Sequence, residues 1–236
     1  MARNNQQFLQ VILNSFKAFI DSGTSRSTQK LKPLHGAIAK DIQEELGNGY
    51  EVWSQGFEKD KEAEINGRYI NKKVDITIKK DGIAIAGIAV KFVMQNYSQN
   101  SNNYFENMLG ETANIRSNKF PYFQVFVILD KLPYYDKQGK IKKWESFTDH
   151  NASKYLVLST DNTEAFYHTP NKTLIYVVHV PVDEYVTDKN EYLSHFKSCP
   201  INMTLSTHSL KCKGGNVIVN DYEEFINKVY HTIMAM

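Results

Sequence analysis

Apolar and polar positions recur with two different periods along this chain, and the changes of period mark its elements. Residues 5–20 place Phe8, Leu9, Ile12, Phe16 and Phe19 at helical spacing, and the polar run 21–28 predicts a loop. A second helix is expected over 33–46. Pro33 suits its first turn, Gly47 its end, and Leu34, Ile38, Ile42 and Leu46 form one apolar stripe. Residues 50–57 read as a strand and 58–67 as a polar segment. Over 73–80, Val74, Ile76 and Ile78 alternate with Asp75, Thr77 and Lys79, the pattern of a strand with one buried face. Lys79-Lys80-Asp81-Gly82 predicts a tight turn, because Asp-Gly readily takes the positive φ values of a two-residue hairpin. Residues 83–93 are almost continuously apolar, as in a central strand buried on both faces.

The next stretch, 95–119, is rich in Asn and Gln. Tyr104, Phe105, Met108, Leu109, Thr112 and Ile115 lie at helical spacing, which predicts a polar loop followed by a helix. A core strand is expected over 121–130, a lysine-bearing turn within 131–148, a helix over 152–158 and a buried strand over 173–180. Residues 185–200 read as partly helical and 201–218 as strand and turn around Gly214-Gly215. An amphipathic helix over 222–234 is capped by Asn220 or Asp221. No repeat or low-complexity linker interrupts the order. It predicts an α/β protein with a central mixed sheet flanked by helices, a single domain over 1–236. Its core would span about 30–182, with 183–236 as an appended α/β segment for dimerisation or recognition.

An acid and a lysine on adjacent core strands are costly without partners, so Asp75 and Lys91 point to a site. Asp75, a hairpin, and then Ala89-Val90-Lys91 resemble the signature of the PD-(D/E)XK nuclease superfamily, which includes most type II restriction endonucleases. Two positions depart from it: Val74 stands where proline is common, and Ala89 stands where the signature has Asp or Glu. The resemblance implies a restriction-endonuclease-like core and Mg²⁺-dependent, sequence-specific hydrolysis of double-stranded DNA. A homodimer would cut both strands of a palindrome. It implies that Asp75, the side chain at position 89 and the carbonyl of Val90 hold the metal, and that Lys91 orients or deprotonates the attacking water. Mg²⁺ prefers oxygen ligands and usually takes only one or two protein carboxylates.

Three readings of Ala89 compete. The carboxylate has moved to Glu106 or Glu111 on the following helix; the site has decayed to a DNA-binding protein; or a glutamate has been replaced by the usual truncation of an acid. The otherwise intact motif favours the third, on which glutamate at 89 would restore activity. A plain hairpin with a surface aspartate and a snorkelling lysine is the structural alternative. A monomeric repair or RNA-processing nuclease is the functional one.

The superfamily often adds an acid on the helix before the aspartate strand. Glu45 is the first candidate here and Asp41 the second, against the reading of a solvated helix flank. Gln95, Gln99, Asn100, Asn102 and Asn103 follow the lysine strand and could contact phosphates or adenine edges, or form an ordinary capped loop. Lys137, Lys140, Lys142 and Lys143 lie among Tyr134, Tyr135 and Trp144, as in a DNA-backbone patch or a solvated hairpin. Composition adds only limits. Hydrophobic content of 42%, charged content of 23% and a net charge of +2 are ordinary, so any basic surface is local. No apolar run approaches the ~20 residues of a membrane span, and no secretory signal is visible. Cys199 and Cys212 lack metal-ligand spacing and read as free thiols in a reducing cytosol rather than a disulfide. No Walker loop implies a nucleotide cofactor.

Overall fold

The computed structural model describes residues 3–23, 29–183, 185–208, 210–211 and 215–236. The expectations placed on 24–28, Cys212 and Gly214 therefore lie outside the described residues. Cys199 is exposed and free.

The chain opens with helix α1 (Asn5–Ser22), whose Asn4 and Gln7 form a reciprocal capping box. A short 3-10 turn (Gln29–Leu31) leads into α2 (Lys32–Leu46), with Pro33 in its first turn and Gly47 ending it at φ +74°. The Leu34, Ile38, Ile42 and Leu46 stripe of α2 is buried as predicted. Strands β1 (Glu51–Ser54), β2 (Ala63–Asn66), β3 (Asn71–Val74), β4 (Ile76–Lys80) and β5 (Ile83–Val93) follow. Asp81 and Gly82 take φ of +50° and +78°, so the predicted two-residue turn joins β4 to β5. Helix α3 (Tyr97–Arg116) crosses to β6 (Tyr122–Leu129), and β7 (Lys131–Tyr135) and β8 (Ile141–Ser146) form a hairpin. Helix α4 (Asp149–Thr160), β9 (Lys172–His179), α5 (Lys189–Ser198), β10 (Thr204–Leu205), β11 (Val217–Val219) and α6 (Tyr222–Met234) complete the chain. Asp221 caps α6 by accepting from the Glu224 N–H.

The protein is α/β, with a mixed central sheet flanked by helices. The sheet runs β1-β4-β5-β6-β9-β10, and β11 also pairs with β9. β1, β4 and β5 are antiparallel, whereas β5, β6 and β9 are parallel. The parallel strands read as continuous apolar runs because both their faces are covered, and every residue of β6 is buried. The segment after 183 contributes β10 and β11 to this same sheet. Among the described residues, no helix is long and apolar enough to cross a membrane.

Three local expectations change. The segment 58–67 contains β2, which pairs with β3 in a separate two-stranded sheet. The Asn-rich stretch is helical from Tyr97, not a loop before a helix. Asn96 allows this by adopting φ +52°, accepting from the Tyr135 N–H and donating its own N–H to Pro133. The buried carboxylate of Glu145 then faces the Ser98 N–H at 3.3 Å, on the positive end of the helix. The third change concerns Asp41, which is only 2% exposed and not on an open flank. It pairs with Arg3 Nη1 at 2.5 Å and accepts from the Tyr222 hydroxyl at 2.7 Å, tying both ends of the chain to α2. Burial and these partners make it a structural acid. Tyr222→Phe is expected to cost about 1–3 kcal/mol in chemical denaturation, because it strips a buried carboxylate of a donor. It should leave any activity of the native protein unchanged.

Candidate active site

Asp75 lies between β3 and β4 rather than inside one continuous strand. Val74 packs in a small cluster with Ile65, Ile115 and Tyr122, while Ile76 enters the main core. The break leaves the β5 edge open beyond Ile88, the partner of Ile76. Continued β4 pairing would set residue 74 opposite Val90. Instead, the Val90 N–H donates to Asp75 Oδ2 at 2.7 Å. The Ser54 hydroxyl donates to the Asp75 carbonyl at 2.8 Å and fixes the bend from the β1 side. A carboxylate thus completes the β5 edge at the point where the antiparallel ladder stops.

Asp75, Ala89, Val90 and Lys91 line one cleft of about 340 Å³, whose opposite wall is α3, with Tyr104, Met108 and Glu111. The Lys91 amine stands 4.2 Å from the centre of the Tyr104 ring, a cation–π contact that leaves it solvent access. Glu111 projects from α3 into the same space. It pairs with Lys72 of β3 at 2.5 Å and accepts from the buried Tyr122 hydroxyl at 3.1 Å. Gln124 of β6 is the in-register neighbour of Ala89 and also lines the cleft. Parallel neighbours share a face, so its amide stands beside the place of the missing side chain.

The charges in this cleft perturb one another. Burial pushes the Asp75 carboxyl up to about 6, and the like charge of Glu111 adds to it; the Val90 N–H, Lys91 and Lys72 pull it back. Burial lowers the Lys91 amine, opposed by Asp75 and Glu111. The buried Lys30, beside the cleft residue Leu31, is pushed down to about 8 by burial and by the charge of Lys91. A strongly raised acid and a lowered amine within one concave site are the pattern expected of a functional centre.

The donor set suits a hard divalent cation. It offers two carboxylates, a backbone carbonyl and a side-chain amide, all oxygen donors. The like charge of Glu111 beside Asp75 would be relieved by a cation between the two. No group of three or more His, Cys, Asp or Glu side chains placed for a metal occurs among the described residues. The requirement of Mg²⁺ for only one or two carboxylates is met without one.

The other expected residues fall elsewhere. Glu45 is half-buried on α2, outside the cleft lining, and Glu106 is exposed on α3, also outside it. Gln95 precedes α3, whereas Gln99, Asn100, Asn102 and Asn103 lie in its first turns. Lys140, Lys142 and Lys143 are exposed on the β7–β8 hairpin, and Lys143 lies 3.5 Å from Glu145. Of the aromatic residues among them, Tyr135 and Trp144 serve packing, since both contact Tyr192, whereas Tyr134 lies under the Lys143 amine. Lys72 and Gln124 escaped the sequence reading as site residues. Gln124, one polar residue inside an apolar strand, was the visible signal. No family model, curated protein or solved structure matches this chain.

Proposed function

We propose that this chain is a Mg²⁺-dependent endonuclease of the PD-(D/E)XK type, acting on double-stranded DNA at a short specific sequence, with Glu111 supplying the carboxylate absent from position 89. One observation carries the proposal: Asp75, Lys91 and Glu111 converge on one cleft although they arise from a strand break, a strand and a helix. Of the three readings of Ala89, the first is therefore preferred. The acid the chemistry needs is already in the cleft, so no truncated glutamate has to be invoked. The mixed sheet is compatible with a restriction-endonuclease-like core.

In this reading Asp75, Glu111 and the Val90 carbonyl would hold the metal. The bound cation would supply charge neutralisation at the phosphate and an acidified water. The chain's own residues do the rest. Lys91, with its amine lowered by burial, donates to the scissile phosphate or holds the attacking water. Tyr104 restricts that amine to the cleft face, and Tyr122 orients Glu111 through its hydroxyl. Lys72 occupies the other Glu111 oxygen and balances charge when the cleft is empty of cations. Cutting both strands of a palindrome calls for a two-fold homodimer.

The test is plasmid cleavage by the full chain. Cleavage is expected in Mg²⁺ and none in EDTA, with Lys91→Ala inactive in both. Persistence of cleavage in the Lys91→Ala variant would contradict the proposal. A second expectation concerns pH. Metal binding requires ionised Asp75, whose carboxyl titrates near 6. Mn²⁺ affinity by calorimetry should be flat above about pH 7 and fall by up to about tenfold per pH unit below 6. The Asp75→Asn variant should bind weakly and lose this dependence.

A further inference from the structure

The turn joining β2 to β3 presents Arg68, Tyr69 and Ile70 at its tip. Tyr69 is 79% exposed and Ile70 64% exposed. Exposed apolar side chains are common, but these two stand on an unusually well anchored turn. The side chain of Asn114 on α3 accepts from the Tyr69 N–H at 2.9 Å and the Ile70 N–H at 3.3 Å, and donates to the Ile70 carbonyl at 2.8 Å. Its backbone carbonyl accepts from the Arg68 N–H at 2.8 Å. Asn118 donates to the Asn66 carbonyl at 2.9 Å. The packing is so close that a Cβ on Gly67 would fall 2.0 Å from Asn114 Nδ2 and 2.4 Å from the Ile70 carbonyl oxygen. A buried amide is thus committed to the shape of a turn whose own apolar side chains enter no core.

The tip is also placed next to the proposed site. Asn114 lies one helical turn beyond Glu111 on α3. Lys72, two residues after Ile70, is the ion-pair partner of Glu111. The Arg68 guanidinium lies 5.9 Å from the centre of the Tyr69 ring, so charge and apolar surface are presented together. Lys72 and Lys73 continue the positive charge along β3, with Glu64 opposite Lys73 as the one acid in that ladder. A cation beside two apolar side chains on an anchored turn matches a duplex groove, whose rim is phosphate and whose walls are sugar and base edges.

We propose that the Arg68-Tyr69-Ile70 tip packs into a groove of double-stranded DNA beside the phosphate held in the cleft. Arg68 contacts the backbone, and Tyr69 and Ile70 press against sugars and base edges. This inference rests on the nuclease reading, and it adds the surface that seats the substrate. Because Asn114 fixes the turn beforehand, little ordering is left to oppose binding.

The experiment uses the full chain and a labelled mixed-sequence duplex in EDTA, read by fluorescence anisotropy over a series of salt concentrations. Plasmid cleavage in Mg²⁺ is measured alongside. The Tyr69→Ser/Ile70→Ser double variant is expected to bind at least about tenfold more weakly with an unchanged salt slope, since it removes apolar contact and no charge. Arg68→Ala should reduce the salt slope by about one. Tyr185→Ser, which alters an exposed tyrosine elsewhere, should match the unaltered chain. All these side chains are exposed, so melting temperatures should not move. If the unaltered chain binds and cuts but the double variant binds equally well, the inference is overturned and the nuclease reading stands. If the chain binds without cutting, and the double variant loses binding, the tip is supported and the nuclease reading fails. A chain that neither binds duplex nor cuts it overturns both.

Discussion

Glu111→Gln is expected to reduce Mg²⁺-dependent cleavage by at least about a hundredfold. The substitution keeps shape and can still accept from the Tyr122 hydroxyl, but it removes the second anionic oxygen donor of the cleft. It also releases Lys72 from its ion pair, leaving an excess of positive charge. Loss of activity should therefore not come with loss of DNA binding, which is expected to hold or tighten as repulsion of phosphate falls. The stronger form of this prediction adds Ala89→Glu. Position 89 shares the cleft with Asp75 and Glu111. A glutamate there should recover part of the activity lost in Glu111→Gln, returning the acid from α3 to β5. In the unaltered background the same substitution crowds three carboxylates together and should gain little. Cleavage rates of the four chains, measured in parallel, decide between a relocated acid and a missing one. A large gain from Ala89→Glu alone, with Glu111→Gln harmless, would restore the truncated-glutamate reading.

Asp75→Asn should abolish cleavage and yet stabilise the metal-free protein at neutral pH. The folded carboxyl titrates near 6, above the ~3.9 of an unfolded aspartate, because burial and Glu111 disfavour its charge. The folded state therefore binds its proton more tightly than the unfolded chain does. The stability this confers is fully present below about pH 4 and is lost as pH rises through 6. A gap of about two pH units corresponds to about 3 kcal/mol at most. Asparagine carries no charge and its amide oxygen can still accept from the Val90 N–H. Urea denaturation in EDTA should show the variant more stable by about 1–3 kcal/mol at pH 7.5, with the difference shrinking toward pH 4. Such a gain in stability at the cost of function is the usual signature of a strained active-site charge. Equal pH dependence in the two chains would show that Asp75 is not held against its preference.

Much of this architecture was legible before the fold was known, for physical reasons that also explain the misses. Asp81-Gly82 specified its hairpin because few other residue pairs tolerate two consecutive positive φ values. The apolar runs of β6 and β9 announced strands covered on both faces. Asp75 and Lys91 stood out because isolated charges in apolar strands need a reason. The strand break at Asp75 was not visible, since Val74, Ile76 and Ile78 keep perfect alternation although Val74 and Ile76 join different clusters. The α3 start was hidden as well. Asn-rich segments favour caps and turns by themselves, and the Asn96 bonds to β7 that begin the helix come from distant residues. Glu111 was one of two helix acids that could have replaced residue 89. Only the placement of α3 beside the cleft, which Glu111 lines and the exposed Glu106 does not, selects it.

The central claim is that Asp75 and Glu111 together hold a divalent cation against the β5 edge. Its most direct test is anomalous diffraction from crystals grown with Mn²⁺ above pH 7, compared with crystals of Glu111→Gln grown in the same way. The account predicts a single strong anomalous peak in the cleft, coordinated by the Asp75 and Glu111 carboxylates and the Val90 carbonyl. It also predicts that this peak is lost in the variant. A cleft without manganese, or a peak that persists unchanged in Glu111→Gln, would contradict it.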